Sequence, residues 1–174
     1  MPDLCFPAIP PLPVQDDDHF HDECGVFGIC RHVDAAAHTA LGLHALQHRG
    51  QEAAGIVSYD GRQFHSHRAL GLVGDNFNSG DVIDRLPGEM AIGHNRYSTT
   101  GDEAIRNVQP LFAEFKFGGL AIAHNGNLTN ARTLRKSLID RGCIFQSTSD
   151  TETFIHLIAI SDGTNVVERV IDAL

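Results

Sequence analysis

The run Cys24-Gly25-Val26-Phe27-Gly28-Ile29 divides the chain into two chemically different parts. Its apolar, β-branched and aromatic members predict a strand over 24–30. What precedes it has little to bury: residues 1–23 hold five of the seven prolines and six of the 22 acids, with no Lys or Arg. That composition reads as a disordered acidic, proline-rich leader in front of one folded domain over 24–174. A cysteine on the border has a chemical consequence. If the leader is removed as a propeptide, Cys24 becomes the chain terminus. Its own α-amino group, with a pKa of roughly 7.7–8, can then take the thiol proton. Cys24 would be a self-contained nucleophile.

Composition narrows the class. With 174 residues, 42% of them hydrophobic and 20% charged, the chain is long enough for a real core and ordinary for a globular domain. The net charge of −9 describes the leader more than the domain. Asp3, Asp16, Asp17, Asp18, Asp22 and Glu23 supply −6 of it, which leaves −3 for residues 24–174. Neither value gives the basic surface that nucleic acid requires. No apolar run reaches the roughly 18 residues that span a bilayer. The start is not basic and is broken by prolines, unlike a secretory signal, so a cytoplasmic location is expected. The cysteines (Cys5, Cys24, Cys30, Cys143) show neither paired metal spacing nor a disulfide framework and read as reduced thiols. His19 with His21, and His65 with His67, offer two ligands each, too few for zinc.

Working outward, Asp34 is expected to cap a helix running to about His48, with Gly50 as its stop. Strands follow over 54–59 and 63–70, joined at Asp60-Gly61, a strong hairpin signal. A short helix is expected over 80–86 and a strand over 89–97, then a polar loop through Pro110. Strands over 111–117 and 120–124 flank Gly118-Gly119 as a second hairpin. Helices are expected over 130–141, 151–160 and 166–174, the last ending within its pattern as a truncated domain would. Hairpins and paired helices suggest antiparallel sheets between helical layers, an α+β architecture.

Four stretches combine turn-forming residues with polar side chains that a packed core would not choose. They are 47–55 (QHRGQEAAG), 93–101 (GHNRYSTTG), 123–127 (AHNGN) and 147–152 (STSDTE). Their contents match what glutamine hydrolysis requires. Arg96 can grip an α-carboxylate through a bidentate charge-assisted pair, and Asp150 can accept from an α-ammonium. Asn125 and the backbone N–H of Gly126 can donate to a tetrahedral oxyanion, each donor contributing roughly 2.7–4 kcal/mol in the transition state. Each residue alone has a plainer reading. Arg96 can be a surface ion-pair former, Asp150 a helix cap, Asn125-Gly126 a tight turn and Cys24 a buried strand cysteine. A Cys–His dyad of Cys24 with His48, His94 or His124 also remains open, though it leaves the leader unexplained. The joint occurrence carries the chemistry.

Taken together from Cys24 to Leu174 and in family order, Cys24 and the four stretches resemble the class II glutamine amidotransferases. Within that class, 47–55 and 93–101 are similar to the amidophosphoribosyltransferases. Glucosamine-6-phosphate synthase instead has a tyrosine before the Arg-Gly and a tryptophan after the substrate arginine, where this chain has His48 and Tyr97. The resemblance implies a four-layer αββα sandwich of the N-terminal-nucleophile hydrolase type, truncated at its C-terminus. It implies Cys24, Asn125 and Gly126 as catalytic residues and Arg96 and Asp150 as substrate ligands. Thr99 and Thr100, matching the loop beside the substrate arginine, and Arg49, matching a position close to the nucleophile, are further substrate-binding residues by the same resemblance. It further implies hydrolysis of glutamine to glutamate and ammonia, for 5-phosphoribosylamine formation from phosphoribosyl pyrophosphate in purine biosynthesis. The phosphoribosyl-binding motif is absent from these 174 residues, so only the glutamine half is expected here, with no cofactor of its own. Mg²⁺, and the iron–sulfur cluster of some members, would serve the missing C-terminal part, and the full-length protein would be a homo-oligomer. The alternatives are the glutaminase of another class II amidotransferase, or an N-terminal-nucleophile amidase acting on a different substrate.

Overall fold

The described residues of the computed structural model, 24–97 and 105–174, fold into six strands and six α-helices. Four strands, β1 (Gly25–Cys30), β2 (Ala53–Tyr59), β3 (Phe64–Leu70) and β4 (Met90–Arg96), form an antiparallel sheet in the order β1-β4-β2-β3. The other two, β5 (Leu111–Phe115) and β6 (Gly118–Ile122), make a hairpin of their own. The helices are α1 (Ala35–Ala45), α2 (Val73–Asn76), α3 (Gly80–Asp84), α4 (Ala131–Asp140), α5 (Thr151–Ile160) and α6 (Val166–Ala173).

Side chains alternate across a strand, so each face of the large sheet has its own partner. Ala54 and Ile56 of β2, Ala91 of β4 and Phe27 and Ile29 of β1 pack against Ala36, Ala40 and Leu43 of α1. Leu43 and Ile56 are fully buried, each burial favouring the fold by roughly 1.5–3 kcal/mol. The second hairpin lies over the opposite face, where the Phe64 and Phe112 rings meet at 5.0 Å. Helix α5 packs on β5, and α4 and α6 pack on α5. The layers are therefore helix, sheet, sheet and helices, the αββα sandwich expected from the resemblance.

A cavity of about 780 Å³ opens between the sheets, lined by Tyr59, Phe64, Met90, Phe112 and Leu120. It belongs to the end where β2 turns into β3. Cys24 lies at the other end, beside the last residues of β4. No helix among the described residues is long and apolar enough to cross a membrane.

Three local expectations change. The helix expected to reach His48 ends at Ala45 and gives way to a 3-10 turn over Gln47–Arg49. Gln47 pins that turn: its Nε2 donates to Gly50 O and its Oε1 accepts from Val73 N at 2.7 Å. Asp34 occupies the N-cap position of α1 but makes no side-chain cap hydrogen bond. The second hairpin turns at Lys116-Phe117 rather than at the glycine pair. Gly119 is needed for packing instead, since a Cβ there would fall 2.6 Å from the Phe64 ring and 2.8 Å from Phe112. The leader 1–23, and Thr99 and Thr100, lie outside the described residues.

Candidate active site

The antiparallel register sets Gly25 against Asn95 and Ala53 against Arg96. One step further along that register, Cys24 sits across from Arg96 at the end of β4. Tyr97 holds the thiol: its N–H donates to Cys24 Sγ at 3.3 Å, and the thiol reaches Tyr97 O at 3.5 Å. Arg49 Nε donates to Cys24 O at 3.3 Å. Arg49 thus grips the main chain of Cys24. The turn that delivers Arg49 fits only because residue 50 is glycine, since a Cβ there would lie 2.7 Å from the Arg96 carbonyl carbon. Among the described residues, both hydrogen-bond partners of the thiol belong to Tyr97, and none is a histidine.

Arg96 is half-buried, and its Nη1 donates to Asn107 O at 3.0 Å. The Asn107 side chain closes a two-point pair with Thr148: Nδ2 donates to Thr148 Oγ1 at 2.8 Å, and Oδ1 accepts from Thr148 N at 2.9 Å. Two residues on, Asp150 occupies the N-cap position of α5 without capping it. Its Oδ2 accepts from Leu128 N at 2.9 Å instead. The carboxylate is thereby turned toward the segment after β6. Glu152 braces the same loop, its two oxygens accepting from Gln146 N, Ser147 N and Ser147 Oγ at 2.7–2.8 Å.

Asn125 and Gly126 follow β6 and are exposed. Their approach is fixed one residue earlier, where His124 N donates to Gln109 Oε1 at 2.7 Å. Gln109 is itself buried, with its carbonyl over Gly55; a Cβ on Gly55 would lie 2.2 Å from Gln109 O. Gly55 pairs with His94 across the sheet. The His94 ring is buried, neither nitrogen has a hydrogen-bond partner, and the His124 main chain lies beside it. Burial first, then the Arg96 charge, holds the His94 pKa down at about 4. The imidazole is therefore neutral at physiological pH.

The structure thus brings Cys24, Arg49 and Arg96 together directly. It links Asp150 to Arg96 through Asn107 and Thr148, and Asn125-Gly126 to β4 through Gln109, His124 and His94. Asn107, Gln109 and Glu152 were not among the expected site residues. Asn107 and Gln109 had no signal beyond polarity in a segment read as a loop, whereas Glu152 lay in the stretch 147–152 but was given no role.

One group among the described residues has metal-ligand chemistry, His32, Asp34 and His38, whose ligand atoms lie within 4.8 Å of one another. His32 Nδ1 already accepts from Asp34 N at 3.1 Å, and the trio stands at the N-terminus of α1, the positive end of the helix dipole. Both observations fit a hydrogen-bonded helix start better than a cation site. Elsewhere, His65 lies 2.9 Å from Asp60 Oδ2 and His67 stacks edge-on to Phe77, structural roles for both.

The family described as a glutamine amidotransferase domain matches residues 94–171. An amidophosphoribosyltransferase of Lacticaseibacillus casei is 52% identical over 79% of this chain and 71% of its own length. This chain belongs to the amidophosphoribosyltransferase family. A Rhizobium etli amidophosphoribosyltransferase is 62% identical over 97% of the chain, but over only 34% of its own length. The solved glutamine phosphoribosylpyrophosphate amidotransferase from B. subtilis, complexed with ADP and GMP, superposes with a TM-score of 0.79 at 44% identity. That match covers 85% of this chain and 32% of the other. A structure of the allosteric regulatory enzyme of purine biosynthesis gives a TM-score of 0.81 at 45% identity, over 85% and 32% of the two chains. The chain thus spans about a third of the length of the first amidophosphoribosyltransferases it matches.

Proposed function

We propose that this chain is the glutaminase portion of an amidophosphoribosyltransferase, with Cys24 as its nucleophile. The supporting observation is the seat of the thiol on the Tyr97 main chain, across from an arginine that is tied to the Asp150 loop. Glutamine would place its α-carboxylate on Arg96 and its α-ammonium on Asp150. A guanidinium has five N–H donors, and Nη1 uses one on Asn107 O. Asp150 Oδ2 holds Leu128 N, while a carboxylate has two oxygens to offer. Thr99 and Thr100 complete the substrate pocket in this proposal.

The steps balance as an amide hydrolysis. The Cys24 thiol passes its proton to the terminal α-amine, and Sγ bonds to the carboxamide carbon. Asn125 Nδ2 and Gly126 N–H donate to the oxyanion that forms. The C–N bond breaks, the proton leaves with ammonia, and a thioester remains. Water then cleaves it to glutamate and restores the thiol. The free α-amine requires loss of residues 1–23, by attack of the Cys24 thiol on the Glu23 carbonyl and hydrolysis of the resulting thioester. Arg49, on the Cys24 carbonyl, steadies the group that would carry the new terminus.

The ammonia would serve 5-phosphoribosylamine formation from phosphoribosyl pyrophosphate in the remainder of a longer, homo-oligomeric, cytoplasmic protein. Mg²⁺ and any iron–sulfur cluster would belong to that remainder. Glutamine-dependent ammonia release, measured on protein beginning at Cys24 and on its Cys24→Ala form, tests the proposal. Release by the first and not the second is expected; equal release by both refutes the assignment of the nucleophile. Phosphoribosylamine formation by residues 1–174 alone would refute the division of labour.

A further inference from the structure

The amino group and the carboxylate of an α-amino acid sit on one carbon, so the two groups that recognise them must keep a fixed separation. Here they come from distant parts of the chain: Arg96 closes β4, and Asp150 precedes α5. We propose that Asn107, paired with Thr148, is the positioning residue that sets the distance between Arg96 and Asp150, an inference that rests on glutamine being the substrate.

Asn107 is 1% exposed and sits between the two. Its main-chain oxygen accepts from Arg96 Nη1 at 3.0 Å. Its carboxamide meets Thr148 twice, at 2.8 and 2.9 Å, as donor to Oγ1 and acceptor from N. A carboxamide matches this pattern because it offers one donor and one acceptor side by side. An alanine would do neither. Asn107 sits in the 3-10 turn Ile105–Asn107, so its carbonyl and side chain are held in one frame.

The far end of the link is stiff as well. Thr148 is followed by Ser149, whose N–H donates to Ser147 Oγ, and Ser147 is clamped by Glu152 and by Arg135 Nη2 on its carbonyl at 2.7 Å. Asp150 is anchored separately by Leu128 N. A shift of Asn107 would therefore move Arg96 against a fixed Asp150. Binding of an amino acid suffers from such a misfit, because each charged hydrogen bond lost weakens it by about 10- to 100-fold. The Cys24 thiol, held by Tyr97, would be untouched.

The test compares Asn107→Ala, Thr148→Val and Thr148→Ser in protein beginning at Cys24. Steady-state glutamine hydrolysis is measured alongside the rate at which iodoacetamide, which has no α-amino or α-carboxylate group, alkylates Cys24. For Asn107→Ala and Thr148→Val, KM for glutamine is expected to rise about 10- to 100-fold, with kcat within about threefold and alkylation unchanged. Thr148→Ser, which keeps the hydroxyl, should restore the original KM. An unchanged KM in both disrupting variants overturns the inference while leaving glutamine hydrolysis standing. A parallel fall in kcat and alkylation also overturns it, since it shows general damage to the site. Absence of glutamine turnover in the unsubstituted protein defeats the proposed function itself, and this inference with it.

Discussion

Lowering the pH from 7 to 5, in the protein and in its His94→Phe variant, probes one buried ring. His94 is 1% exposed, with no hydrogen-bond partner for either nitrogen. Arg96 on its own strand opposes a positive charge there, whereas the His124 main chain favours one and only the His124 ring opposes it. Burial is the larger cause, and together they lower the pKa from 6.5 to about 4. The unfolded chain therefore takes up the proton first as pH falls. The stability due to neutral His94 is fully present above pH 6.5 and is lost as pH falls toward 4. The complete loss is about 3 kcal/mol, of which about 2 kcal/mol falls between pH 7 and 5. His67, also shifted down by burial and by Arg85, pushes in the same direction, so the wild-type curve alone does not isolate His94. His94→Phe does, because it removes the titrating nitrogens and breaks no hydrogen bond. With no tryptophan in the chain, urea unfolding is best followed by far-UV circular dichroism at pH 7, 6 and 5. The wild type should lose about 2 kcal/mol more than the variant across that range. Parallel losses in the two proteins would refute the claim that a neutral, unpartnered imidazole lies under the site.

Three further outcomes follow from the geometry. Gly55→Ala drives a Cβ to 2.2 Å from Gln109 O and should cost about 1–3 kcal/mol in urea unfolding, because the Gln109 backbone must give way. Glu152→Ala leaves the N–H groups of Gln146 and Ser147 without their acceptor. A loss of about 1–3 kcal/mol is expected, with faster amide hydrogen exchange confined to 146–149. Arg96→Lys keeps the charge but gives up the planar fork, so KM for glutamine should rise by about tenfold or more, one charged hydrogen bond being worth roughly 1.5–3 kcal/mol.

The parts of the fold that were readable from sequence are those whose cause is local. Asp60-Gly61 announced its hairpin, and Asp60 Oδ1 accepts from Arg62 N and Gln63 N at 2.8 Å, the short-range bonds that make such turns. The strands expected over 54–59 and 89–97 and the helices expected over 130–141 and 151–160 were legible for the same reason, as β2, β4, α4 and α5. The end of α1 was not. It is decided by Gln47 reaching Val73, 26 residues on, and by Gly50 pressing against the Arg96 backbone. The candidate nucleophile and substrate ligands stood out because a core would not choose them. Their supports did not: Asn107 finds Thr148 across 41 residues and Gln109 finds His124 across 15. Periodicity carries no information about such pairs. Asp150 shows the limit on one residue, since a capping position was legible and the use of its carboxylate on Leu128 was not.

The central claim is that Cys24, once it is the chain terminus, attacks the side-chain amide of glutamine. Its most direct test is peptide mass spectrometry of the protein after treatment with a diazoketone analogue of glutamine. Modification at Cys24 alone is expected, blocked by excess glutamine, present in chains that begin at Cys24 and missing from chains that still carry Glu23. Modification of Cys30 or Cys143, or labelling of Cys24 that glutamine does not slow, would contradict it.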